Sequence, residues 1–426
     1  MLKKSLAVIV EPVAFTGFFI LTIYRIVWGG GWLILSGTTF QKVLPECVAW
    51  ILVGILFLWM ANQKKNFKLY INAWGKNWIV LSLILFAIIS ISWSENSLIS
   101  LYKVFVLVVC SILTAYIGVT FSNKTLLRKL SYFLILAIGL SYILALFFPA
   151  IGLDPEFPHI GDWRGWFTLK NFMGPFMAVG TVVFIYKLII IDKKLLFRGF
   201  SICLFLLSGG LVFLSQSATG IIIMIILNAS MILVYAWVKV KQRLHLVHYI
   251  VAGALLVVLL ILVLFNLNFL FGLLGKDATF TGRLSLWSFL LNSGLSTHLL
   301  SGNGFGATWA SDQFRLAAQV ASGWAITPFT AHNGLLETFL GVGLIGVILL
   351  LGIVFLSLYR GIKHVLEEQS FLSFFPLILI LFVITANITE SYLLELESFT
   401  WFLMIYALFS TTPLPLGESR EQSPGI

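Results

Sequence analysis

Apolar stretches of about 20 residues, enough to cross a bilayer as a helix, recur along this chain with little between them. They run near 6–24, 44–61, 77–93, 100–121, 130–151 and 171–191, and then near 199–215, 219–238, 249–274, 334–359, 371–389 and 396–412. In hydrocarbon every backbone N–H and C=O needs an internal partner, so helices are the fold open to such runs. The spacing predicts an all-α polytopic integral membrane protein, one domain over 1–426 with about twelve transmembrane helices. The first run is the least regular, since Glu11-Pro12 interrupts it and Arg25 and Gly29-Gly30-Gly31 blur its end. No small-x-small cleavage site follows Lys3-Lys4, so it reads as a retained helix and not a removed signal.

Composition narrows the class further. Only 10% of residues are charged, against about 25% in a soluble domain, which leaves no room for a separate soluble unit. The net charge of +10 would suit a nucleic-acid partner, but the basic residues sit in short clusters between apolar runs. That placement serves membrane orientation and argues against nucleic acid. Cys47, Cys110 and Cys203 lie in or beside apolar runs without metal-ligand spacing, and read as small packing residues.

The clusters alternate. Lys3 and Lys4 are followed by Lys64, Lys65 and Lys68, then Lys124, Arg128 and Lys129, then Lys193, Lys194 and Arg198. Lys239, Lys241 and Arg243 come next, then Arg360 and Lys363. Positive residues stay on the cytoplasmic side, so both termini, including a short tail over 413–426, are expected there. Two longer connections, 152–170 and 276–333, fall outside. Arg164, Lys170, Lys276, Arg283 and Arg315 therefore stand on the face that the rule disfavours, as an anionic ligand at the outer surface would require.

Three stretches can build such a site. Asp162-Trp163-Arg164-Gly165-Trp166-Phe167-Thr168-Leu169-Lys170-Asn171 leads into an apolar run, with Asn171 placed as N-cap, so an anion there would meet a positive helix end. The same stretch also reads as an interfacial loop with Trp163 and Trp166 in the aromatic belt. Ser215-Gln216-Ser217-Ala218-Thr219-Gly220 offers hydroxyls at an outer turn, but small residues there also simply permit a tight helical hairpin.

The third stretch is the loop over 276–333, which carries most of the chemistry. His332 stands just before an apolar run, with Asn333 placed to cap it and Glu337 about one turn further, where it can orient the ring. A positive helix end disfavours imidazolium, which suits a general base; the plainer alternative is a histidine that only bonds the loop. Arg283 follows Thr281-Gly282 and precedes 284–289, an expected amphipathic helix. Guanidinium groups engage phosphate oxygens in pairs, so Arg283 with Arg164 or Arg315 suits a pyrophosphate. Trp287, Trp309 and Trp324 are flat surfaces for sugar rings or interfacial anchors.

Other features are set aside. Gly341-x-Gly343-x-x-Gly346 lies inside an apolar run and reads as helix packing, not a nucleotide fingerprint. No Asp/Glu/His cluster has metal-ligand spacing, so neither a metal nor a cofactor is expected. Glu11 and Lys103 sit in apolar runs, and Glu390, Glu395 and Glu397 flank the last outer turn; they are few and mostly near helix ends, where snorkelling accounts for most of them.

Together these motifs resemble the O-antigen ligase and O-antigen polymerase superfamily, including its exopolysaccharide-polymerase relatives. The resemblance rests on Trp163-Arg164-Gly165, Lys170-Asn171-x-x-Gly174, Ser215-x-Ser217 and Thr281-Gly282-Arg283 with Trp287. Gly302-x-Gly304-x-Gly306, Ala331-His332-Asn333-Gly334 and the glycines at 341, 343 and 346 complete it, over about 160–350. It implies a metal-independent, cofactor-free transfer of a glycan from undecaprenyl pyrophosphate to a hydroxyl of a glycan or lipid A core, at the periplasmic face of the bacterial inner membrane. The implied roles fall on His332 as base and on Arg283 and Arg164 as pyrophosphate ligands, with Arg315 and Lys170 as further candidates. Ala218 stands where many members carry a basic residue, and Leu169 where many carry histidine. A transporter or lipid flippase, the rival class, would show internal repeats and polar residues at mid-membrane; an envelope scaffold would need no outward arginines beside a capped histidine.

Overall fold

The computed structural model describes residues 17–18, 47–55, 67–155, 159–240, 282–296, 298–394 and 398–413. The span expected near 249–274 lies outside them, that near 6–24 almost wholly so, and half of that near 44–61. In chain order the main helices are α1 (Phe67–Lys76), α2 (Trp78–Ile89), α3 (Ser97–Thr120), α4 (Asn123–Phe147), α5 (Lys170–Tyr186) and α6 (Leu195–Leu214). They continue with α7 (Ala218–Val240), α8 (Arg283–Ser296), α9 (Asp312–Ser322), α10 (Gly334–Glu368), α11 (Phe375–Thr389) and α12 (Ser398–Ser410). Among the described residues seven helices are long and apolar enough to cross a membrane, or eight if the bent pair α1–α2 is one span. The protein is thus an all-α, multi-pass membrane protein, with seven or eight spans seen where the sequence predicts about twelve over the whole chain.

The bundle is organised around buried helices. Residues 399–410 of α12 are all buried, as expected of a helix apolar all round; Trp401 donates its indole N–H to Ser111 Oγ of α3 at 2.8 Å. α5 is packed against α6 and α7 through small residues: Gly174 lies against Ser215 and Ser217, and Gly180 against Ser208. Such contacts let helix backbones approach where lipid offers no hydrophobic drive.

Phe67–Lys76, expected as a connection carrying Lys68, is a helix bent 79° from α2. Its Ala73 and Trp74 are buried, so packing of one face forms the helix although its composition is too polar for a span. Asn77 occupies the corner, donating to Ala73 O (2.8 Å) and Thr412 Oγ1 (3.0 Å) and accepting from Arg360 at 2.5 Å.

The opposite end carries the long loop, and α10 is broken to receive it. At Val342 and Gly343 the backbone leaves helical geometry (φ −131°, ψ 16°; φ 64°, ψ −167°). The lost intrahelical bonds are replaced by the loop: Asn303 N–H donates to Leu340 O, and Leu344 N–H to Leu299 O, both at 2.9 Å. Gly302 (φ 65°) makes this possible, since a Cβ there would stand 2.5 Å from the Gly341 carbonyl carbon. The glycines at 341 and 343, read as ordinary helix packing, instead form the break into which the Gly302 turn inserts. Ser90 and Ser100 fasten its other side, through Phe305 N–H (3.0 Å) and Phe305 O (2.8 Å). Leu286, Leu290, Trp309, Ala318, Ala331 and Leu340 give the loop a small core of its own, so α8 and α9 are held as a unit above the bundle.

Candidate functional site

Asn333 is the N-cap of α10: its side-chain oxygen accepts from Leu335 N–H (3.1 Å) and Leu336 N–H (3.0 Å). His332 precedes it with φ +49°, a left-handed conformation unusual for a side chain of that size and costing about 1–2 kcal/mol. The surroundings hold it there. Ala331 N–H donates to Glu337 Oε2 (2.6 Å), Trp287 donates to Ala331 O (2.8 Å), and Asn333 N–H donates to Ser391 Oγ (3.0 Å). The Asn333 amide also reaches Ile388 O at 3.0 Å, so the start of α10 is stitched to the end of α11.

That stitching delivers Glu390, the C-cap of α11, to the histidine. Glu390 is buried, and its Oε2 lies 2.9 Å from His332 Nδ1. Its Oε1 receives Arg283 Nη2 at 2.9 Å, while Arg283 Nη1 donates to Thr389 O at 2.5 Å. Burial alone would push the Glu390 carboxyl up, but Arg283 and then His332 outweigh it and hold the group below its ordinary value. Thr389 Oγ1 meets Thr219 Oγ1 at 3.0 Å, which joins the start of α7 to the same corner. A carboxylate on Nδ1 fixes the ring and leaves Nε2 as the nitrogen for a reacting hydroxyl. His332 is partly open to the outside, with 21% of its side chain exposed.

The sequence model of the O-antigen ligase family matches residues 203–351. The exopolysaccharide production protein ExoQ of Rhizobium meliloti (strain 1021) is 25% identical over 321 residues, covering 73% of this chain and 71% of that protein. Both similarities point to the O-antigen ligase and polymerase superfamily. They support a function of the ligase or polymerase type in polysaccharide biosynthesis, and the apolar helices fit a multi-pass membrane protein.

Within that superfamily frame the residues singled out from sequence fare differently. Arg283 and His332 meet at Glu390, and Asn333 bonds the adjoining Ser391. Glu337, expected to orient the ring, instead accepts from Trp309 Nε1 (2.6 Å) and the Ala331 amide, and so braces the segment before the histidine. Lys170 is buried and paired with Asp162 Oδ2 at 2.5 Å, which ties the 152–170 loop to the first turn of α5. Asn171 is not an N-cap: α5 begins at Lys170 behind Leu169 without a side-chain cap. The Asn171 carbonyl instead accepts the Tyr392 hydroxyl at 2.6 Å. Arg164 is turned onto its own loop, with Nε on Ile151 O (2.9 Å) and Nη1 on Thr168 O (3.3 Å). Arg315 pairs with Asp312 on its own helix. In the Ser215-x-Ser217 turn, Ser217 Oγ accepts from Gly220 N–H at 3.2 Å, consistent with the tight-hairpin reading.

Glu390 is the residue that sequence reasoning missed. It was assigned to snorkelling because it stands at a helix end, whereas the chain folds it inward. The signal available was a carboxylate directly after an apolar run, on the face where the loop arginines also gather.

Proposed function

We propose that this chain is a metal-independent transferase that moves a glycan from undecaprenyl pyrophosphate to an acceptor hydroxyl, at the periplasmic face of the bacterial inner membrane with both termini cytoplasmic. The observation that carries the reading is the convergence of Arg283 and His332 on one buried carboxylate at the loop end of the bundle. A diphosphate is already a good leaving group, so the reaction asks for a base and for cations facing the developing charge. In the proposed step the acceptor hydroxyl gives its proton to His332 Nε2 while its oxygen bonds the donor's anomeric carbon. The bond from that carbon to the diphosphate oxygen breaks, and undecaprenyl pyrophosphate leaves with the electron pair. A guanidinium has five N–H donors, so Arg283 is not exhausted by Glu390 and Thr389 and can face a phosphate oxygen. Arg164 is the second candidate for the diphosphate. Lys170 and Arg315, each paired with an aspartate, serve better as supports of the loops.

The acceptor is either a lipid A core or the growing end of a glycan. The likeness to ExoQ favours the second, exopolysaccharide-polymerase form. The test is reconstitution in proteoliposomes with a lipid-linked glycan and each acceptor class, comparing wild type with His332→Ala and Arg283→Ala. Transfer by the wild type that both substitutions abolish, with folding intact, is the expected result. Full transfer by His332→Ala would overturn the base assignment, and no transfer to any acceptor would favour a transporter or lipid flippase.

A further inference from the structure

Three tryptophans of the loop are flat enough to hold a sugar, and the fold separates them. Trp309 is buried, with its indole N–H on Glu337, and is part of the loop core. Trp287 is a strut, its N–H donated to Ala331 O at 2.8 Å. Trp324 has its ring beside His332: the centroids are 5.2 Å apart with planes at 76°.

The chain goes to some length to hold that indole there. α9 ends in Gly323 with φ +69°, a left-handed cap that turns the backbone back on itself. Gln319 Nε2 then donates to Trp324 O (3.2 Å) and Ala325 O (3.0 Å), which fixes the turn. The indole edge lies against Gly282 so closely that a Cβ at that position would stand 2.6 Å from Trp324 Nε1. Gly282 is also the residue before Arg283, so one tryptophan borders the histidine on one side and the arginine's own turn on the other. Its side chain is only partly buried. An interfacial anchor would have no need of that position.

We propose that Trp324 is the acceptor-side sugar platform and a determinant of acceptor specificity; this rests on the transferase reading above. A pyranose ring presents an apolar C–H face with hydroxyls around its rim. Stacked on an indole next to the imidazole, the ring is held by its face while a rim hydroxyl is offered to His332 Nε2. Tryptophan provides such a surface at low conformational cost, having only two side-chain torsions. Acceptors with a continuous C–H face are favoured over those whose axial hydroxyls interrupt it.

The test uses the full-length protein in proteoliposomes, with a repeat-unit oligosaccharide prepared from the host's own surface polysaccharide as the probe. Trp324→Ala is expected to weaken binding of this oligosaccharide, measured without donor, by about tenfold or more. It should raise the acceptor KM in the transfer assay far more than it lowers kcat. Trp324→Phe keeps a flat ring and is expected to recover most of the affinity, which also guards against a variant that merely misfolds. Binding is read without donor and transfer with it, so loss of the platform and loss of the transferase reading are told apart. Equal binding by wild type and Trp324→Ala, no binding by wild type, or a fall in kcat at unchanged KM would each overturn the proposal.

Discussion

Glu390 and His332 stand 58 residues apart in the chain and meet at 2.9 Å, the carboxylate buried and the imidazole partly open. The contact joins the end of α11 to the residue before the α10 N-cap, and Arg283 closes it from the start of α8.

The first consequence concerns the base itself. Asn tolerates the left-handed backbone that His332 adopts, so His332→Asn removes the imidazole with little new strain. Transfer is expected to fall by about 10²–10⁴-fold, the usual contribution of a general base, while thermal unfolding in detergent moves by only a few degrees. A variant that keeps its rate would exclude His332 as the proton acceptor.

The Arg283–Glu390 pair is nearly buried, with 13% and 5% of the two side chains exposed. Removing one partner strands a buried charge at a cost of about 3–5 kcal/mol. Arg283→Met and Glu390→Leu should each be destabilised on that scale. The double variant should lose less than the sum, by about 0.5–3 kcal/mol of coupling. A double-mutant cycle by chemical unfolding checks this, and strict additivity would contradict the pairing.

Acid should act through the same carboxylate. Its folded value is held below the ordinary one, so between the two the unfolded chain binds more protons and stability rises with pH. The contribution is complete above the unfolded carboxyl value of about 4.3 and is lost as pH falls through the lower folded value. Unfolding followed against pH should show this acid limb in the wild type and a flatter one in Glu390→Gln.

Two glycines with similar backbone separate strain from space. Gly302 and Gly323 have φ of 65° and 69°, but a Cβ at Gly302 would strike the Gly341 backbone, whereas Gly323 faces open space. Gly323→Ala should cost only the left-handed penalty of about 1–2 kcal/mol. Gly302→Ala should cost more and impair transfer, because the loop can no longer seat in the α10 break. Comparable stability of the two variants would mean that the insertion is not tight.

Several features were legible in the chain because their causes are local. Apolar runs set the helices, since hydrocarbon leaves the backbone no other partner. An Asn at the start of such a run caps it through amides two and three residues on, as Asn333 does for α10. The loop residues Arg283 and His332 stood out for the same reason, as charge and imidazole beside apolar segments. What needed the tertiary structure was every partner. Glu390 at the end of one apolar run and Lys103 within another are both charges beside apolar sequence, yet only the fold brings Glu390 to Arg283, 107 residues away. Lys170 looked free for a phosphate until the loop turned Asp162 onto it. The glycines of α10 looked like packing until the Gly302 turn filled their break. Hydropathy and capping act over a few residues, whereas burial and ion pairing depend on contacts between distant segments, which sequence order alone does not reveal.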